Sequence, residues 1–199
     1  MFPSTSIMHH RTVWLVDIGF VVKVGSQRFK LDYIATEKWL STRYGPVTTF
    51  LFNGYDPTYG IPEGLNRFYT AMRASGMTVC LHPMSGRAGF GDHRQRRVDV
   101  DMTAHLVWQA SLPDVDRVVL TTGDQDFLPA VHIVREKCQK QVVLLCYDQD
   151  VSADLKQVSD ELLFLDDIRT EVIRTQPQEK ENVIRDSTSE AVSSQISRS

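Results

Sequence analysis

The stretch "VVLTTGDQDFLPAV", residues 118–131, sets an apolar, β-branched run directly against two carboxylates, Asp124 and Asp126. A short run of this kind, without strict polar alternation, reads as a strand buried on both faces, as in a parallel sheet. The residues that follow space Leu128, Val131 and Val134 for a helix, with Pro129 in its first turn where proline is tolerated. A strand, an acidic turn and a helix make half of a repeating α/β unit. Whether the acids are turn chemistry or hold something cationic depends on what else reaches the same end of the sheet.

Comparable runs recur along the chain, each ending in Gly, Asp, Asn or Pro: "TVWLVDIG" (12–19), "VTTFLFNG" (47–54), "MTVCLHP" (77–83) and "KQVVLLCYD" (140–148), besides "DRVVLTTGD" (116–124) itself. Helical patterns separate them. "LDYIATEKWLSTRYG" (31–45) places Ile34, Trp39 and Leu40 on one stripe, and "GLNRFYTAMRASG" (64–76) places Leu65, Phe68 and Met72 on another. "VDVDMTAHLVWQASLP" (98–113) sets Val98, Met102 and Leu106 four apart and stops before Pro113. The alternation predicts an α/β fold: a doubly wound, mainly parallel five-stranded sheet with helices on both faces and right-handed crossovers.

The 199 residues suit one domain with appendages, assigned to an N-terminal extension (1–11), the α/β domain (12–169) and a C-terminal tail (170–199). The tail is polar, Ser-rich and without aromatic residues, so it is expected to be disordered, free to bind a protein partner. A net charge of -3 excludes a whole-molecule field that would draw the protein onto polyanions, so any such partner needs a local basic patch. Cys80, Cys138 and Cys146 are odd in number and lack metal-like spacing, which predicts reduced thiols and a cytoplasmic protein. No segment approaches 18 uninterrupted apolar residues and none reads as a secretory leader, so no membrane partner is expected. A homo-oligomer is compatible with the sequence.

Ligands of open α/β sheets collect beyond the carboxyl ends of the strands, near the point where strand order reverses. Asp17 closes the first run, Asp124 and Asp126 follow the fourth, and Asp99 lies at the start of the helix before that fourth run. If the fourth strand pairs with the first, all four acids surround one crevice. Each has a plain alternative as a helix cap or Asx turn. Together they form an all-oxygen donor set without His or Cys, which suits Mg²⁺ or Mn²⁺ and, through such an ion, hydrolysis of a phosphate ester. The loop "HPMSGRAGFGDHRQRRVDV" (82–100) leads into Asp99 carrying Arg94, Arg96 and Arg97, candidates for holding a phosphate backbone. Asp148, Asp150 and Asp154 are a weaker acidic cluster, Asp101 could face either way, and His105 reads as a packed histidine.

At "RRVDVDMTAHLVWQA" (96–110) and "VDRVVLTTGDQDFLPAVHIVRE" (115–136) the sequence resembles the NYN domain family of PIN-like metal-dependent nucleases. That family's pattern has Lys-Gly-Val-Asp-Val before a helix and a strand ending in Ser-Gly-Asp-Ser-Asp-Phe. Here the two read Arg96 to Val100 and Thr122 to Phe127. The resemblance spans residues 12–168. It implies endonucleolytic cleavage of RNA, with Asp17, Asp99, Asp124 and Asp126 as catalytic metal ligands and Arg94, Arg96 and Arg97 as substrate contacts. The chain departs from the pattern at "DIGF", where Ile18 replaces a glycine; a β-branched residue there is expected to obstruct a backbone that needs positive φ or close approach to substrate. Two alternatives follow: an RNA-binding or protein-interaction module of the same fold with a weakened site, and a haloacid-dehalogenase-like phosphatase. The phosphatase is disfavoured because Gly19 stands where a second acid is needed.

Overall fold

The computed structural model describes residues 10–84 and 96–174. The expectations for most of the N-terminal extension, for Arg94 and for the tail from residue 175 lie outside those residues, as does the Arg96 side chain.

The strands are β1 (Arg11–Asp17), β2 (Val47–Tyr55), β3 (Thr78–Pro83), β4 (Val115–Thr121), β5 (Gln141–Cys146) and β6 (Glu161–Phe164). All neighbours pair in parallel, in the order β3-β2-β1-β4-β5-β6. The five expected strands are present, and β6 adds a sixth at the edge beside β5. Its four residues are too few for a periodic signal. Its start is fixed instead by Asp160, whose carboxylate accepts the Val142 backbone N–H at 2.8 Å and pairs with Arg135 at 2.6 Å.

A second difference from the sequence reading is α1 (Ile18–Gly25), which follows β1 with no loop. The apolar, Val-rich "IGFVVKVG" looks like the continuation of a strand. Helix prevails because the Asp17 carboxylate caps it, accepting the Phe20 N–H at 3.0 Å, and because Ile18, Val21 and Val24 bury together on one side.

Helices cover both faces. On one, α4 (Arg96–Ser111), α5 (Leu128–Glu136) and α6 (Ala153–Val158) contribute Val98, Met102, Leu106, Val131, Val134 and Leu155 to the core. On the other lie α1, α2 (Tyr33–Tyr44), α3 (Glu63–Ala74) and the short α7 (Arg169–Val172), with Val21, Leu40, Tyr69, Met72 and Val172 facing the sheet. Along β1 the side chains alternate, Val13 and Leu15 toward the first layer, Trp14 and Val16 toward the second. Asp17 is next in the first series, on the α4 side. The described chain closes on itself where Leu31 bridges Ile173 and the Arg174 N–H donates to the Lys30 carbonyl at 2.8 Å.

The central strands are joined by a buried polar contact, Trp14 Nε1 donating to Thr121 Oγ1 at 2.9 Å. Both residues are fully buried, so Thr121→Val, which keeps shape but removes the acceptor, leaves the indole N–H unsatisfied. We expect a loss of about 1–3 kcal/mol in urea unfolding with little change in the denaturant slope.

Candidate active site

The reversal of strand order falls between β1 and β4, whose register runs to Val16↔Thr121. Beyond it the chain turns into α1 on one side and into a single 3₁₀ turn, Gln125–Phe127, on the other. Asp17, 8% exposed, ends β1. Asp124 caps the 3₁₀ turn, its Oδ1 accepting the Asp126 N–H at 2.9 Å, and Asp126 stands exposed. Asp99 occupies the first turn of α4, partly buried.

Electrostatics ties the four together. Burial, then the negative charges of Asp17, Asp124 and Asp126, push the Asp99 carboxyl up to about 6 from its ordinary 3.8. Burial likewise raises Asp17, opposed by the N–H groups of Phe20 and Gly19 and reinforced by Asp124. Among the described residues none of the leading influences on either acid is a cationic side chain. Asp99 thus feels Asp17, Asp124 and Asp126, and Asp17 feels Asp124.

The carboxylates do not form a closed cage. Among the described residues no group of three or more His, Cys, Asp or Glu side chains is placed to hold one ion. At two of them an oxygen is already engaged: one of Asp17 accepts from Phe20 and one of Asp124 from Asp126. As a donor set the four still suit a hard divalent ion, having only oxygen ligands.

One contributor was missed in the sequence. Thr122 is fully buried beside Asp17, whose carboxyl its hydroxyl helps to lower, and its Oγ1 accepts the Asp124 N–H at 3.3 Å. It therefore positions the two acids against each other. The signal was available as a hydroxyl residue at the end of a buried strand just before Gly-Asp. Gly123 matters for shape: a Cβ there would overlap the Asp150 carbonyl oxygen and the Phe20 ring, and its own carbonyl accepts the Ser152 N–H at 3.2 Å.

Ile18 does not obstruct the site. It is the first residue of α1, 1% exposed in the core, and the one non-glycine with positive φ among the described residues is Gln139. The expectation that the backbone at "DIGF" needs positive φ is thus corrected: the chain takes right-handed helix there, where a β-branched side chain is accommodated.

The other candidates separate clearly. Arg97 is exposed on α4, lining a shallow depression with His82, Val100 and Asp101; two positions along a helix turn it well away from Asp99. Asp101 faces the same flank, bound to His82 Nε2 at 2.8 Å and His105 Nδ1 at 3.2 Å, and so ties α4 to β3. His105 packs against the rings of Phe50, Phe52 and Trp108, as a structural histidine does. Asp148 and Asp150 are neutralised, by Lys156 at 3.5 Å and by Arg28 at 3.3 Å; Arg28 also holds Asp166 at 2.7 Å. Burial pushes the Cys80 and Cys146 thiols up to about 11 and about 12, out of range for nucleophiles.

The six-stranded parallel sheet with helices on both faces is a doubly wound α/β fold. The chain belongs to the NYN domain family, whose model matches residues 26–166 and so takes in Asp99, Asp124 and Asp126 while Asp17 precedes it. Members are nuclease-like, generally related to RNA and to divalent metal ions. A search of curated proteins finds no match. Among solved structures, a protein of unknown function from Vibrio parahaemolyticus superimposes with a TM-score of 0.70 at 23% identity, over 86% of this chain and 100% of that one. That likeness concerns the fold. Among the described residues no helix is long and apolar enough to cross a membrane.

Proposed function

We propose that the protein is a divalent-metal-dependent ribonuclease that cuts RNA internally by phosphodiester hydrolysis, in the cytoplasm. The observation that carries this reading is the raised carboxyl of Asp99, partly buried at the carboxyl edge of the sheet, with Asp17, Asp124 and Asp126 the charged groups among the described residues that push it up after burial. Such a crowd is costly unless a cation joins it. Asp17, Asp99, Asp124 and Asp126 would bind Mg²⁺ or Mn²⁺. When bound, the ion supplies charge neutralisation at the phosphodiester and a more acidic water. The chain's own part is positional: Thr122 and the α1 N-terminus fix Asp17, the 3₁₀ turn fixes Asp124 and Asp126, and α4 brings Asp99 across. Arg94, Arg96 and Arg97, leading into α4, would engage the RNA backbone outside the crevice.

The test uses the full chain with labelled unstructured and structured RNA, with Mg²⁺, with Mn²⁺ and with chelator. Cleavage is expected only with metal, and Asp124→Asn should reduce it by at least about a hundredfold, the upper end of what changes in the outer shell of a metal site cost. Asn keeps the cap on the Asp126 N–H, so RNA binding and folding should survive. That no trio of ligands is preformed among the described residues favours one other reading, an RNA-binding module without turnover. RNA binding with no cleavage under either metal would establish that reading and refute the first.

A further inference from the structure

Next to the acidic crevice, on the opposite layer of helices, a cleft of about 580 Å³ opens between α1 and α3. Its near end is Ile18, Gly19 and Asn53, the residues that directly follow Asp17 and its β2 register partner Phe52. Its walls are apolar, formed by Val21, Leu65 and the half-buried ring of Phe68. Its rim carries Lys23, Lys30 and Arg174, all exposed.

Two features distinguish this cleft from an ordinary surface depression. The first is charge. Arg11, Arg28, Arg43, Arg67 and Arg135 each pair with a carboxylate, as does Lys156. Lys23, Lys30 and Arg174 have no carboxylate partner among the described residues, and all three meet at this one mouth. The second is Asn53. Its amide donates one hydrogen to the Tyr69 hydroxyl at 2.7 Å and its oxygen accepts the Gly54 N–H at 2.9 Å. One donor and one lone pair of this cleft-lining amide have no partner among the described residues, the pattern an amide uses to read the edge of a base.

We infer that this cleft takes one unpaired nucleotide of a single-stranded RNA, its base between α1 and α3 against Phe68 and its phosphate on Lys23, Lys30 and Arg174. The choice of RNA rests on the ribonuclease reading above. The volume falls within the range of small-ligand sites and admits a base that has left its stack, whereas a base held in a duplex has no route in. A strand seated there continues past Gly19 onto the acidic rim, so the cleft fixes which phosphodiester lies over the carboxylates.

The test is binding of a fluorescein-labelled eight-nucleotide single-stranded RNA, and of a hairpin of equal length, to the full chain in chelator, where no cleavage occurs. Gly64 lines the cleft in α3, and a Cβ built on it meets nothing within 4 Å, so Gly64→Trp fills the space without displacing the backbone. Gly64→Trp and the charge reversal Lys23→Glu/Lys30→Glu should each weaken single-strand binding about tenfold, the scale of one lost stacked base, and hairpin binding less than about twofold. Thermal melts of both variants check folding. Parent-like single-strand binding by folded Gly64→Trp overturns the inference while leaving the nuclease intact if the parent still cuts RNA with metal. A parent that neither binds nor cuts RNA overturns both, and an apolar small molecule would then be the occupant to seek.

Discussion

Replacing Asp99 by Asn is expected to raise the melting temperature at pH 7.5 while removing metal-dependent cleavage. The folded carboxyl, pushed up to about 6, holds its proton more tightly than the unfolded chain, whose value is the ordinary 3.8. The stability it contributes is therefore complete below about 3.8 and is lost as pH rises through 6. Two pKa units correspond to about 3 kcal/mol, which solvent screening of a partly exposed group reduces to about 1–2 kcal/mol. Asn removes the charge and keeps the shape, so at pH 7.5 the variant should melt about 3–6 °C higher. At pH 4.5 Asp99 is already protonated and the advantage should vanish. Asp17, shifted in the same direction by burial, adds to the slope. Mn²⁺ should supply the same relief to the parent above pH 6 and little to the variant, because a ligand stabilises only the state it binds. Differential scanning fluorimetry across pH, with and without metal, reads all of this. A variant that melts lower than the parent at both pH values would show that Asp99 is not under repulsion.

The second large effect concerns Gly123. Ala at this position sets a methyl between the Asp150 carbonyl and the Phe20 ring, 2.5 Å from the latter's edge. The ring can turn, but the carbonyl belongs to the loop that the Ser152 N–H ties to Gly123 itself. We expect a loss of about 2–3 kcal/mol, the upper part of the overpacking range, together with loss of cleavage as Asp124 is displaced from Asp17. Gly64→Ala is the matched control: it meets open space in a helix and should be neutral or stabilising by up to about 1 kcal/mol. Equal stability of the two variants in guanidinium unfolding would remove Gly123 from the site's construction.

Much of this architecture could be read from the chain because its strands are short apolar runs that each stop at a turn former. The run from Val118 to Thr121 stops at Gly123 and Asp124, that from Val47 to Phe52 at Asn53 and Gly54, and each stop lies at a carboxyl end. The expectation that Asp17, Asp99 and the Asp124/Asp126 pair share one end of the sheet rested on one topological assumption, the pairing of β1 with β4, and that pairing the register shows. What stayed hidden depends on tertiary contacts. The helix α1 is made of residues that favour strands and exists because Asp17 caps it and the sheet buries Ile18 and Val21. The edge strand β6 has four residues and is placed by Asp160 and Arg135. The carboxylates' failure to close into a ready cage could not be foreseen, since it depends on which oxygen each cap consumes. Nor does spacing reveal that Asp101 belongs to His82 and Asp99 to the crevice until β3 is known to flank α4.

The position of β1 also governs how the chain must be made. On a ribosome β1 finds β2 once residue 55 is free, but its other edge stays unclaimed until β4, some hundred residues downstream, has emerged. In that interval the nascent chain presents a row of bare amides beside Trp14 and Leu15, a template for sticking to its neighbours. Fragments stopping short of Thr121 should accordingly collect in inclusion bodies, and the shortest soluble piece should extend past the GDQD turn.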